Sequence, residues 1–410
     1  MGTSELRVAL IVPNIDAYSG AVERTVKVIE HSTAANLRYT AFLPKEGASN
    51  AELGRDLERL ARSDRLELRT LASGSSWTDE SSFDAIAIPT EYWWGPWKRG
   101  RASGLKGTYC LEFHLLPYVG TLDLLKSAGV STPRLKSLAM LPLLLHQRYG
   151  EGLSASVYNT IACAATVRGL SSVETPRILA ISKAIARHMR SMGHRGHLYV
   201  PDCPNGIEPE EVRKARTNDD PVLYDGIFVG RFHPQKGFFD VPFLAAHLRS
   251  RLRRDVRIAV CGGSDAPGQR EKFDAMVRRL GVENNVEVLG RIPKRDLYTA
   301  MRQSRALLYP SYVDGFPITV LESLCLGVPV IGYDTDALAL SWGDEKALFR
   351  TPVGDPETLA ELYSTLDKDG RLDRAREEAR AHSERLLEAH TWAKVVHDQR
   401  IFFEGGGAAA

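Results

Sequence analysis

The chain has 410 residues, of which 43% are hydrophobic, 25% charged and 8% aromatic, a soluble globular composition with room for two or three domains at roughly 100 to 200 residues each. Lys and Arg total 53 against 51 for Asp and Glu, a formal charge of +2, which excludes a globally basic nucleic-acid binder and an acidic tail. Glycine at 34 and proline at 21 exclude collagen-like and low-complexity chains, and five dispersed cysteines without a C-x-x-C pair exclude a disulfide framework and a cysteine zinc site.

The first apolar run, inside Met1–Pro13, follows Glu5 and has no small-residue cleavage site, so a first strand is expected there, not a signal peptide. LRVALIVPN (6–14), RYTAFLP (38–44), LELRTLA (66–72), FDAIAIPT (83–90), GTYCLEFH (107–114) and RILAIS (177–182) are near-continuous apolar runs, as strands buried on both faces of a parallel sheet are. Helices are predicted over Ala51–Arg62, behind an Asn50 cap, and over Lys183–Met192, entered from Ser182. The apolar stretch Leu138–Leu145 contains Pro142 and falls short of the ~20 residues that cross a bilayer. A charge-rich connector is expected over Glu208–Pro221. Five further buried-type strands follow, DGIFVGR (225–231), VRIAVCGG (256–263), NVEVLGR (285–291), ALLYPS (306–311) and VPVIGYD (328–334), with helices over Glu271–Leu280 and Arg295–Ser304. The pattern predicts an α/β chain of two Rossmann-like doubly wound domains facing across a cleft, over 1–205 and 206–375. A C-terminal helix over 376–404 would return to the first domain, and 405–410 would be a disordered tail.

Open parallel sheets bind ligands where a strand's carboxyl end hands over to a helix, so the strand-end loops are the candidate sites. YPSYVDGFPITVLESLCL (309–326) places Asp314, Gly315, Phe316 and Pro317 in a loop and starts a helix near Ile318 and Thr319 that carries Glu322. The unpaired N–H groups of such a helix start suit an anion, and Glu322 one turn in suits vicinal hydroxyls; a plain turn and a helix-dipole carboxylate are the structural alternative. GRFHPQKGF (230–238) places Arg231 and Lys236 on either side of a Pro234 turn, where both cations can meet one diphosphate or form a solvated basic loop. Ser19, Gly20 and Ala21 open the first helix. Cys261-Gly262-Gly263 is a similar small-residue loop, with turn chemistry its plainer use. His194 and His197 are read as a polar turn.

Together these segments resemble the family 4, glycogen-synthase-like retaining glycosyltransferases of GT-B fold, most strongly over Tyr224–Thr365. The E-x7-E pattern is present as Asp314 through Glu322, with Asp for the first Glu, and G-R-x-x-P-x-K-G as Gly230, Arg231, Pro234, Lys236 and Gly237. P-N-G-[VI] is present as Pro204, Asn205, Gly206 and Ile207, and the N-terminal glycine loop loosely as Ser19 to Arg24, with Val22 extra. The Thr391-Trp392 pair resembles the start of the family's returning helix. The resemblance implies a UDP- or GDP-sugar donor and a hydroxyl acceptor, glycan or lipid-linked, with no metal or other cofactor. It makes Arg231 and Lys236 the diphosphate cations and Glu322 the ribose acceptor, and Asp314 reaches the sugar. Gly20, Gly262, Gly315, Phe316, Pro317, Ile318 and Thr319 line the donor, and Ile292 sits where backbone holds the base. His114, at the end of the GTYCLEFH strand, matches by position a histidine near the donor sugar.

For the acceptor side, Trp93, Trp94 and Trp97 beside Lys98 and Arg99 suit a lipid head group or a sugar ring, or else a core of aromatics. The expected setting is cytoplasmic, with peripheral attachment to the membrane face through that patch. A nucleotide-sugar epimerase of the same architecture and a non-catalytic sugar-nucleotide scaffold are the competing functions.

Overall fold

The computed structural model describes residues 4–12, 20–43, 50–70, 82–90, 105–113, 177–191, 194–217, 221–263 and 268–406, with the isolated positions 154 and 157. His114, Trp93, Trp94, Trp97, Lys98, Arg99, Ser19 and the Leu138–Leu145 stretch lie outside the described residues. Two compact units divide the described residues: the first takes those of 4–113, 177–206 and 390–406, the second those of 207–389 with positions 154 and 157.

Among the described residues the first unit has a parallel six-stranded sheet, β1 (Leu6–Ile11), β2 (Leu37–Leu43), β3 (Leu66–Thr70), β4 (Ser82–Thr90), β5 (Lys106–Phe113) and β6 (Arg177–Ala180), in the order β3-β2-β1-β4-β5-β6. Its inner strands read as continuous apolar runs because both faces are covered: Val8, Ala9, Ala85 and Ile86 have no exposed surface. Helix α1 spans Gly20–Glu30 and α2 spans Ala51–Arg62. In α2 the Asn50 side chain accepts from the N–H groups of Glu52 (3.0 Å) and Leu53 (3.1 Å), and Leu53, Leu57 and Leu60 bury one stripe. Helix α3 is Lys183–Ser191.

The second unit repeats the design. Helix α4 (Pro209–Arg216) leads into β7 (Gly226–Val229), α5 (Val241–Leu252), β8 (Ile258–Cys261), α6 (Gln269–Arg279), β9 (Val286–Gly290), α7 (Lys294–Arg302) and β10 (Leu307–Tyr309). Helix α8 (Ile318–Cys325), β11 (Val330–Tyr333), α9 (Asp336–Trp342), β12 (Leu348–Thr351), α10 (Pro356–Lys368) and α11 (Arg371–Ala389) complete it. The sheet runs β12-β11-β10-β7-β8-β9, the first unit's order repeated. In both, the strand order reverses direction between two neighbours, β1/β4 and β7/β10. At such a switch point the loops leave to opposite faces and open a crevice.

Three expectations are corrected. The stretch 208–221 is not a mere connector, since Pro209–Arg216 is helical; it buries only Val212 and is laced to α11 by Arg213 and Arg216 on Glu384 (3.0 and 2.6 Å). The sixth strand, β12, is a four-residue edge whose Arg350 turns out to Asp334 (2.5 Å), so it has no apolar run to betray it. The returning segment starts at His390, not at 376. Helix α11 buries Leu372, Ala375, Ala379, Leu386 and Leu387 in the second unit. Thr391 then caps a separate helix, α12 (Trp392–Glu404), by accepting from the Lys394 N–H (3.4 Å).

Helix α12 closes the first unit. The Arg400 guanidinium donates to the carbonyls of Ala35 (2.9 Å) and Ser4 (3.0 Å), and Phe402 stacks on Tyr199 at 5.5 Å. Arg24 of α1, 3% exposed, donates to the Pro204 carbonyl (2.8 Å) and to Gln399 (3.3 Å), and lies 3.8 Å from Glu112, which also accepts from Gln399 (2.6 Å). Burial lowers the Arg24 pKa, and the Glu112 carboxylate opposes that shift. The P-N-G turn has a packing reason as well: a Cβ on Gly206 would sit 2.6 Å from the Trp392 ring.

Candidate active site

The loops after β7 and β10 stand at the second unit's switch point. After β7, Phe232 is buried and stacks on Phe238 at 4.2 Å, which stacks in turn on Phe273 of α6 at 4.1 Å; this pins the loop's middle to the core. The His233 ring Nδ1 accepts from the Gln235 N–H (3.2 Å) and so caps a single turn over Pro234–Lys236, which ends in left-handed Gly237 (φ 72°). The Gln235 carbonyl accepts from the Tyr312 N–H (2.8 Å), joining this loop to the one after β10.

A Cβ on Gly237 would overlap the Pro310 carbonyl, so both conformation and space demand glycine. Gly237→Ala is expected to lower the unfolding free energy by about 2–4 kcal/mol. An unchanged denaturant midpoint would show that the two loops can part without cost.

This junction aims Lys236 at the β10 loop. Its Nζ donates to Asp314 Oδ2 (2.7 Å) and to the Val313 carbonyl (3.2 Å). The Tyr309 hydroxyl donates to the same Oδ2. Burial, and then the Asp314 charge, push the Tyr309 phenol well above its ordinary pKa, so it stays a donor. Among the described residues Asp314 Oδ1 has no hydrogen-bond partner, which leaves one carboxylate oxygen for a ligand hydroxyl. Arg231 is half-buried at the start of the β7 loop.

Glu322 lies one turn into α8 and is 4% exposed. Its Oε1 accepts from Lys294 Nζ, in an ion pair, and from the Tyr298 hydroxyl at 3.4 Å. A carboxylate this buried stays ionised only with charged or hydrogen-bonding partners. Each acid of the pair is thus held by one lysine and one tyrosine. The sequence reading found Lys236 and missed Tyr309, Lys294 and Tyr298. The i, i+4 spacing of Lys294 and Tyr298 on α7 is visible in the sequence, but nothing local ties that helix to Glu322.

Phe316 is buried against Trp342 (5.3 Å), Pro317 precedes α8, and Ile318 and Thr319 are half-buried in its first turn. Gly315 is buried between Asp314 and Phe316, and Ile292 is partly buried just ahead of Pro293 and α7. Gly262 (φ 141°) has a structural reason: a Cβ would overlap the Gly230 carbonyl, where the β8 loop crosses the β7 loop. Gly20 opens α1 in the first unit and is exposed. Among the described residues no three His, Cys, Asp or Glu side chains cluster to hold a metal ion, and no helix is long and apolar enough to cross a membrane.

Residues 209–382 match the family model of the "Glycosyl transferases group 1". The D-inositol 3-phosphate glycosyltransferase of Streptomyces bingchenggensis is 28% identical over 179 residues, 42% of this chain and 39% of that protein. The 2-deoxystreptamine N-acetyl-D-glucosaminyltransferase of Niallia circulans is 27% identical over 145 residues, 35% and 36% of the two chains. The match thus spans well under half the length of these curated relatives. Among solved structures, sucrose-phosphate synthase from Thermosynechococcus elongatus superposes with TM-score 0.69 at 15% identity, covering 98% of each chain. Anabaena HepE in complex with UDP-glucose superposes with TM-score 0.62 at 14% identity, covering 98% of this chain and 99% of that one. At such identity the likeness shows the fold, the two-domain GT-B architecture.

Proposed function

We propose, from a chain whose residues 209–382 match the group 1 glycosyltransferase family model, that the protein moves a sugar with retention from a UDP- or GDP-sugar to a hydroxyl acceptor, a glycan or a lipid-linked one, without a metal. The observation that carries this reading is the Lys236–Asp314 pair at the β7/β10 switch point, backed by the Glu322–Lys294 pair one helical turn along α8. Arg231 and Lys236 take the diphosphate, Arg as a fork and Lys as a point charge. Lys236 is held meanwhile by Asp314, so the cation is already aimed when the donor arrives. Glu322 accepts the vicinal ribose hydroxyls, and Asp314 Oδ1 accepts a hydroxyl of the sugar. Backbone at Gly262, from Gly315 to Thr319, and at Ile292 frames the phosphates and base.

Breaking the anomeric bond leaves charge on the departing diphosphate and an oxocarbenium-like sugar. Cations fixed at the leaving oxygen stabilise that state more than the intact donor, each worth roughly 3 kcal/mol. The test is a thermal-shift panel of UDP, GDP, ADP and their sugars. The cognate nucleotide at a hundredfold excess over its Kd is expected to stabilise by about 2.7 kcal/mol; a panel in which none raises Tm overturns the donor assignment.

A further inference from the structure

We propose that Lys294 is the positioning residue for donor ribose recognition: it fixes and neutralises Glu322 so that this carboxylate can accept the vicinal hydroxyls. The proposal rests on the donor reading above. Three observations carry it. Glu322 is 4% exposed, so its charge needs a fixed counter-charge, and Lys294 supplies it at Oε1. Lys294 is itself preorganised, because its Nζ lies 5.4 Å from the ring centroid of Tyr298, a residue 2% exposed one turn along the same helix. The Tyr298 hydroxyl converges on the same Oε1 (3.4 Å), so lysine and tyrosine constrain the carboxylate from one rigid helix.

The chemistry assigns the division of labour. An ammonium group has donors only and cannot accept a ribose hydroxyl proton, whereas the glutamate can. The side chain of Lys294 is 39% exposed, so replacing it leaves no sealed cavity and the fold should tolerate the change.

The experiment is calorimetric titration of native protein, Lys294→Met and Lys294→Arg with UDP and GDP and with their 2′,3′-dideoxy counterparts. Native protein is expected to prefer the ribo form of its cognate nucleotide by about tenfold or more. Lys294→Met should bring that ratio close to one while dideoxy affinity stays within about twofold, and Lys294→Arg should restore part of the ratio. A ratio that survives Lys294→Met, or ribo and dideoxy affinities that fall together, overturns the proposal and leaves the donor reading standing. Native protein that binds neither nucleotide overturns the donor reading, and this proposal with it.

Discussion

Lys236→Ala is expected to lower sugar transfer, or donor hydrolysis in the absence of an acceptor, by about 10²-fold or more, with an unfolding midpoint close to that of the native protein. The two effects separate because Lys236 does little to hold the loops together. Its side chain is 21% exposed and its bond to Asp314 is one partly solvated ion pair, worth about 1 kcal/mol at most. The β7 and β10 loops stay joined by the Tyr312–Gln235 backbone bond and by the close seat of Gly237 under Pro310. What is lost is a cation at the leaving diphosphate, whose value is greatest at the transition state. Near-native turnover would show that Lys236 serves only to hold Asp314.

Glu322 gives the second large effect, and its two substitutions should behave differently. Glu322→Ala empties a buried position in α8 and strips Lys294 and Tyr298 of their acceptor; a loss of about 3–5 kcal/mol in unfolding free energy is expected. Glu322→Gln keeps the shape and one acceptor oxygen. Because Lys294 can turn partly to water, its stability cost should be about 1 kcal/mol. Its cost to binding should be larger, about tenfold or more in affinity for the cognate nucleoside diphosphate. Chemical denaturation and calorimetry on the two variants check both halves. A Glu322→Gln protein of native affinity would remove the ribose role from Glu322.

Features carried by local sequence were readable. The Asn50 cap and the Leu53, Leu57, Leu60 stripe mark α2 to the residue, and the β7 and β10 loops show their turn residues and their charges together. Asp314 and Glu322 were readable for the same reason, since one loop and one helix turn contain both. Lys294 and Tyr298 reach Glu322 from a different helix, and no local periodicity reports that meeting. Tyr309 was hidden differently: its apolar neighbours mark a strand, and only the fold turns its hydroxyl onto Asp314. The start of α12 was legible at Thr391-Trp392, but the boundary between the units was placed at 376 because only three-dimensional burial tells which unit α11 serves. Arg24 belongs to this class too. A motif match brought it to notice, but its partners Pro204, Glu112 and Gln399 come from three distant stretches.

The closure of the first unit by α12 sets the order in which the nascent chain can finish folding. The second unit has no residue beyond Ala389, so it has all its parts once Ala389 has been synthesised. The first unit, although most of it is made earlier, then still lacks Gln399 for Glu112 and Arg400 for the Ser4 and Ala35 carbonyls. Until Gln399 has left the ribosome, Arg24 and Glu112 lack the partner it supplies to both. The domain that begins first on the ribosome is therefore the one completed last.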